Sequence, residues 1–294
     1  MKIAIYGQYY LNSTEPIIKD IFVFFKKNNV ELIIESAFLE MLYEKNLIHE
    51  TYQTFSSHTE LDSSFDMLIS IGGDGTILRA ATLVRNSSVP ILGINAGRLG
   101  FLATVQKDNI DSFLQFVIDK KYSISKRTLL SLDCSPENEA IKEINFAMNE
   151  ITVSRKDTTS MITIETYLND EFLNSYWADG LIISTPTGST GYSMSCGGPI
   201  LTPDVKSLVI TPIAPHNLNA RPLVIPDNTE IKLRVTGRED QYLVSLDSRV
   251  TTVKNESILI IKRNPFEINM VEIQQETFLK TLRNKLLWGE DKRN

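Results

Sequence analysis

Apolar residues in the first third of the chain fall in short unbroken blocks. "KIAIYG" (2–7), "VELIIES" (30–36), "FDMLISI" (65–71) and "VPILGIN" (89–95) have few polar interruptions, the pattern of strands buried on both faces of a parallel sheet. Between them, "TEPIIKDIFVFFKKN" (14–28), "EMLYEKN" (40–46) and "ILRAATLV" (77–84) space their apolar residues at helical intervals. In the first of these, Thr14 is a candidate N-cap and Pro16 falls in the first turn. Strands alternating with helices predict a Rossmann-like α/β domain with a parallel sheet.

Beyond about residue 122 the pattern becomes short, β-branched and often alternating. "YSISKRTLLSLDC", "EINFAMNEITVSR", "SMITIETYLN", "EFLNSYWADGLIIST", "SLVITPI", "TEIKLRVTG", "QYLVSLDS" and "SILIIKR" read as strands with little helix between them. Asn169-Asp170 suits a hairpin turn. The fold class expected is therefore α/β plus β: an α/β domain over 1–122 and a β-rich, β-sandwich-like domain over 123–275. In "QETFLKTLRNKLLWGE", Phe278, Leu279, Leu282, Leu286 and Leu287 recur at helical spacing. This helix, within 276–294, either packs back on the first domain or simply caps the C-terminus.

Composition narrows the possible partners. The chain has 294 residues, 42% apolar and 22% charged, with a net charge of −6, the makeup of a globular protein with a sizeable core. The acidic balance argues against nucleic-acid backbone binding. No apolar run is long enough to span a bilayer, and the first residues move straight into a strand pattern, so a cytoplasmic protein without membrane association is expected. Cys134 and Cys196 are too few for a disulfide framework or a cysteine metal cluster.

Three glycine-bearing segments follow apolar strands, where open α/β sheets place their ligands. In "GGDGT", Gly72, Gly73, Gly75 and Thr76 form a candidate phosphate cradle around the carboxylate of Asp74; alternatively Asp74 or Thr76 only caps the following helix. In "NAGRLGFLAT" (95–104), Arg98 suits a phosphate or a carboxylate, or is simply solvated. In "DGLIISTPTGSTGYSMSCGGPI" (179–200), hydroxyls and glycines offer many donors to phosphate and sugar oxygens, and Tyr192 can stack on a base; a small-residue turn is the plain alternative. Asn149 suits an adenine edge, and the carboxylates of Glu150 and Asp179 suit ribose hydroxyls. Taken singly, each reads first as a solvated strand residue, and only the combination with the glycine segments points to a site.

Other chemistries lack their signatures. Neither G-x-G-x-x-G nor G-x-x-x-x-G-K-[ST] occurs, and H-E-x-x-H and C-x-x-C are also missing. His49, His58 and His216 are too dispersed for a zinc site, and no serine nucleophile elbow occurs.

Taken in order, "GGDGT" (72–76), "NAGRLGFL" (95–102), "NE" (149–150), "DGLIISTPTGSTGYSMSCGGP" (179–199) and "PHNLNARPLV" (215–224) resemble the motifs of the NAD kinases over most of the chain. GGDG alone is shared with diacylglycerol and sphingosine kinases and with phosphofructokinases. The long third segment with "NE" is more specific.

The resemblance implies transfer of the γ-phosphoryl group of ATP, or of another donor, to the 2′-hydroxyl of the adenosine ribose of NAD. The product is NADP, and a divalent metal such as Mg²⁺ takes part. It implies Asp74 as general base, Gly75 against the substrate and Arg79 at a basic position one turn on. Asn149 and Glu150 would hold adenine and ribose, and Asp179 would contact the other end of the substrate. Thr187 to Ser195, Ser193 and Met194 among them, would wrap the adenosine, with Thr190, Gly191, Tyr192 and Ser195 most directly involved. Assembly as a homodimer or homotetramer is implied too.

Three positions depart from the family pattern. Gly191 stands where many members have alanine, a change expected to be harmless between two small residues; Trp177 replaces a smaller or basic residue, and Arg249 a glutamine. The competing readings are a lipid kinase sharing GGDG and a non-catalytic dinucleotide sensor.

Overall fold

A computed structural model of the chain describes residues 1–8, 14–97, 99–103, 105, 110–157, 160–273 and 277–288. By contacts it divides into two compact units, Met1–Lys126 with Ile268–Asn294, and Arg127–Glu267.

In the first unit, β1 (Lys2–Gly7), α1 (Glu15–Lys27), β2 (Glu31–Glu35), α2 (Ser36–Glu44), β3 (Gln53–Phe55), β4 (Met67–Ile71), α3 (Asp74–Val84), β5 (Ile91–Ile94), α4 (Ile110–Ile118) and β6 (Ser123–Arg127) alternate along the chain, and β19 (Ile268–Glu272) and α7 (Phe278–Leu286) return from its far end. The sheet order is β3-β2-β1-β4-β5-β19-β6. β1 pairs in parallel with β2 and β4, and β5 with β4 and β19. Every residue of β4 and β5 is buried, which explains their near-continuous apolar character: helices cover both faces. Chain order reverses between β1 and β4, and such a switch point opens a crevice at the carboxyl ends of the strands. The GGDG turn follows β4 directly.

α1 buries Ile17, Ile18, Ile21, Phe22 and Phe25, one stripe of its surface, in the core. Thr14 occupies the N-cap position, yet its side chain makes no capping bond. Its hydroxyl is buried instead.

The second unit holds β7 (Leu130–Ser135), α5 (Glu139–Glu143), β8 (Phe146–Ala147), β9 (Glu150–Ser154), β10 (Ile162–Leu168), β11 (Glu171–Ala178), β12 (Gly180–Ser184), α6 (Tyr192–Ser195), β13 (Ser207–Ile213), β14 (Leu223–Pro226), β15 (Ile231–Thr236), β16 (Gln241–Leu246), β17 (Arg249–Lys254) and β18 (Ile258–Arg263). Two antiparallel sheets, β11-β10-β15-β18-β7-β8 and β14-β13-β12-β9-β16-β17, contribute to one shared core, a β-sandwich. In β16 the buried residues are Tyr242, Val244 and Leu246, so alternation in the sequence becomes one face turned inward. Asn169 and Asp170 turn between β10 and β11 with φ of 49° and 65°, the left-handed pair that a two-residue hairpin needs.

Two differences from the sequence reading concern boundaries. "INMVE", which follows the Asn264-Pro265 turn, lies inside the expected β-rich region but joins the parallel sheet as β19 beside β5; the contact division falls at 267/268. A short helix, α5, interrupts the β region, where the Asn138 side chain accepts from the N–H groups of Ala140 and Ile141.

Candidate active site

The first cluster forms where β4 ends. Gly73 is the N-cap of α3 and Asp74 its first residue, so neither Asp74 nor Thr76 caps the helix. Instead, the Asp74 carboxylate accepts three backbone N–H groups from the following strand exit. Phe101 donates to Oδ2 at 2.8 Å, and Leu102 and Ala103 donate to Oδ1 at 3.0 and 3.1 Å. A β-carbon at position 100 would lie 1.9 Å from Oδ1, so only glycine admits the carboxylate there. "GGDGT" and "NAGRLGFL" thus form one site, and Arg98 lies outside the described residues. A carboxylate has about four lone-pair positions. With two taken on Oδ1 and one on Oδ2, the described residues leave a single position on Oδ2 open.

The expected phosphate cradle divides. The N–H of Gly72 bonds the Ile94 carbonyl at 2.9 Å and that of Thr76 bonds the Gly73 carbonyl at 3.0 Å, so neither is offered to a ligand. Gly73 and Gly75 have no atom within 4 Å of a built β-carbon, and backbone there is open to close approach. Arg79, exposed on α3, lines a cavity of about 410 Å³ with Tyr6, Gln8, Glu35 and Phe38.

The segment that holds Asp74 is itself held by α7. Lys285 Nζ donates to the Leu99 carbonyl at 2.7 Å, and the Phe278 and Phe101 rings stand 6.3 Å apart. Phe278→Ala is expected to loosen the Phe101 N–H that orients Oδ2 and to lower turnover about tenfold with little change in the substrate KM. Initial rates at saturating nucleotide check this; an unchanged turnover means that α7 does not steer the carboxylate.

The second cluster lies in the β unit. Asn149 lies in the bend just before β9 and Glu150 begins it, and the turn 185–191 is pinned to them: Thr185 Oγ1 donates to the Met148 carbonyl at 2.6 Å, Thr185 N–H to the Asn149 carbonyl at 2.9 Å, and Gly188 N–H to Thr185 Oγ1 at 3.1 Å. A β-carbon on Gly188 would sit 2.1 Å from the Asn149 carbonyl oxygen. Since backbone cannot yield as a side chain does, Gly188→Ala is expected to cost about 2 to 3 kcal/mol, read as a lowered urea midpoint. A midpoint within error of the parent would count against this packing.

Three polar atoms buried here, Asn149 Oδ1, Glu150 Oε2 and Thr187 Oγ1, have no hydrogen-bond partner among the described residues. Orphaned buried acceptors are costly, and ligand donors would satisfy them. The Tyr192 N–H donates to the Glu150 carboxylate, whose pKa is pushed up to about 7 by burial and then by the nearby charge of Asp247. Burial also raises the Asp247 carboxyl, against the pull of the Met148, Asn149 and Glu150 N–H groups and the Arg249 guanidinium.

Within 187–195, Thr190 and Met194 are half-buried, while Tyr192 and Ser195 are exposed. Ser193 differs from expectation: it is buried and its hydroxyl bonds Thr211 at 2.8 Å, so it serves the fold rather than a ligand. A β-carbon at Gly191 would stand 2.9 Å from Glu150 Oε2. Alanine there would need that carboxylate, the far end of a long side chain, to shift slightly.

Asp179 pairs with Arg155 at 3.0 Å. Trp177, two residues earlier, is half-exposed and lies against His216, with ring centroids 4.3 Å apart. Arg249 donates to the Ile144 carbonyl at 2.7 Å and to that of Phe146, so its side chain braces the backbone before "NE". Sequence reading missed Asp247, although an Asp-Ser pair between two alternating strands signals a two-residue hairpin.

An oriented carboxylate at a strand exit, and buried acceptors facing a turn rich in hydroxyls and glycines, place the protein among enzymes that transfer phosphoryl groups to nucleotides. The models of the ATP-NAD kinase N-terminal and C-terminal domains match residues 12–122 and 148–273. The chain is 78% identical to an NAD kinase of Flavobacterium johnsoniae over 294 residues, all of both chains. Its fold is similar to that of yeast NADH kinase complexed with NADH (TM-score 0.87, 21% identity, 99% of this chain and 88% of that one). It is also similar to an NAD kinase from Archaeoglobus fulgidus in complex with ATP (TM-score 0.75, 24% identity, 98% and 99%). The chain belongs to the NAD kinase family.

Proposed function

We propose that the chain transfers the γ-phosphoryl group of ATP to the 2′-hydroxyl of the adenosine ribose of NAD, giving NADP. The observation that carries this reading is the full-length likeness to a curated NAD kinase, and the geometry of both clusters supports it. Asn149, Glu150 and Thr187 offer acceptors to adenine and ribose donors, Thr190, Tyr192 and Ser195 flank the adenosine, and Asp179 contacts the far end of the substrate. Tyr192, about half exposed, offers its ring for stacking. Asp74 takes the proton of the attacking hydroxyl on the open position of Oδ2. A hydroxyl is a weak nucleophile until its proton is removed as the bond to phosphorus forms. Gly73 and Gly75 let the phosphates approach the start of α3, whose amides and positive dipole end oppose their charge, and Arg79 adds a cation one turn on.

Among the described residues no group of three or more His, Cys, Asp or Glu side chains is placed to hold a metal ion. These side chains therefore make no cage for Mg²⁺, an ion that is commonly bound through phosphate oxygens and water and neutralises their charge.

No described helix is long and apolar enough to cross a membrane. A cytoplasmic enzyme assembled as a homodimer or homotetramer completes the reading, and light scattering of the purified protein tests the assembly. The deciding experiment incubates pure protein with NAD, ATP and Mg²⁺ and assays NADP. NADP formation supports the reading. NAD binding without NADP indicates a sensor, and phosphate transfer to diacylglycerol in vesicles indicates a lipid kinase.

A further inference from the structure

Asp247 occupies the first position of the two-residue turn between β16 and β17, with φ of 53°, a left-handed conformation that Asp and Asn tolerate. Its carboxylate faces back across the sheet. The N–H groups of Met148, Asn149 and Glu150 donate to it at 2.9, 2.7 and 3.2 Å. Three consecutive amides converging on one carboxylate fix the direction of the backbone at the bend before β9. The side chains leaving that bend carry the orphaned acceptors Asn149 Oδ1 and Glu150 Oε2, and Glu150 Oε2 and Asn149 Nδ2 lie within 2.9 and 3.4 Å of a β-carbon built on Gly191.

We propose that Asp247 is a positioning residue of the dinucleotide site, clamping the amides of 148–150 so that the Asn149 carboxamide and the Glu150 carboxylate are aimed at the Thr187–Tyr192 turn. This rests on the NAD kinase reading and deepens it. Asp247 does not touch the substrate in this role; it acts through the two residues that do.

A second consequence follows from charge. Among the described residues, the charged group that acts on Glu150 is Asp247 from the hairpin turn, which is itself under the pull of Arg249 on β17, and Tyr192 from α6 supplies an N–H. Asp247 and Glu150 are thus two carboxylates in one buried neighbourhood, and the charge on one opposes the charge on the other. A Glu150 carboxylate that accepts from a ribose hydroxyl is favoured in its ionised form, so the KM for NAD should rise as pH falls through the Glu150 titration. A residue that merely supports the fold would not move that titration.

The test measures NADP formation at saturating ATP from pH 5.5 to 9 for the parent, Asp247→Asn, Glu150→Gln and the double variant. Asparagine tolerates the left-handed turn and keeps one acceptor for the three amides. Asp247→Asn should raise the KM for NAD about tenfold, the scale of one charge-assisted hydrogen bond, while kcat falls less. It should also move the inflection in KM down by about one pH unit. In Glu150→Gln the inflection should vanish, and adding Asp247→Asn should then shift nothing. An inflection that stays in place in Asp247→Asn overturns the proposal, as does a loss confined to kcat or thermal stability. Should Asp247→Asn not fold, Asp247→Gly reads the same coupling, since glycine suits the left-handed turn and carries no charge: the inflection again moves down, and an unmoved inflection overturns the proposal. If the parent itself makes no NADP, the kinase reading fails instead, and the two failures are distinguishable.

Discussion

Asp74→Asn is expected to lower turnover by about three orders of magnitude, within the range for loss of a general base, while the Kd for NAD changes little. The carboxamide cannot take the proton of the attacking hydroxyl. It also cannot reproduce the anchor: the Asp74 oxygens accept from Phe101 on Oδ2 and from Leu102 and Ala103 on Oδ1. With Oδ1 kept as the acceptor of two N–H groups, the new NH₂ would face the Phe101 N–H, donor against donor. The variant should therefore melt somewhat below the parent as well. Steady-state NADP production, NAD binding by calorimetry and a thermal melt separate the two effects. Turnover within tenfold of the parent would remove Asp74 from the role of base.

Glu150→Gln is expected to weaken NAD binding by about tenfold to a hundredfold and, unusually for a site variant, to stabilise the protein without ligand at alkaline pH. The folded pKa of about 7 lies above the ordinary value of 4.5. Between those values the unfolded chain gives up the Glu150 proton while the fold retains it, so this group costs stability as pH rises from 4.5 to about 7. Below 4.5 the carboxyl is protonated in both states and the variant should gain nothing. Above 7 the gain should be full, at most about 3 kcal/mol. Urea unfolding at pH 4 and pH 8 checks the sign: an advantage at pH 4 that disappears at pH 8 would refute the account. Groups held at a cost to the fold are common where binding needs them.

Much of the architecture was legible because burial writes itself into periodicity. β4 and β5 are buried at every position, and their sequences are near-continuous apolar runs with Ser70 as the one polar side chain. β16 is buried on one face, and "QYLVSL" alternates. The Asn169-Asp170 hairpin was legible for a conformational reason, since few residue types accept positive φ at two successive positions. β19 escaped notice because a strand of five residues behind an Asn-Pro turn carries no sign of which sheet it joins.

For the site, the chain alone named the residue types and their neighbourhoods. "GGDGT" at a strand exit, "NE" before an alternating strand, and a segment crowded with glycine and hydroxyl groups pointed to phosphate and nucleoside chemistry, because those groups have few other uses at such places. Pairings across the sequence were beyond its reach. Asp74 meets amides 27 to 29 residues away. Asp247 meets amides 97 to 99 residues away, and Lys285 meets a carbonyl at a separation of 186. Ser193, whose composition marks it as a ligand contact, turns inward to Thr211, and Gly191 lies beside the Glu150 carboxylate. Local patterns record how each segment is buried and what turns it can make. Which donor meets which acceptor depends on where the folded chain brings distant segments together, and that was decided by the tertiary structure.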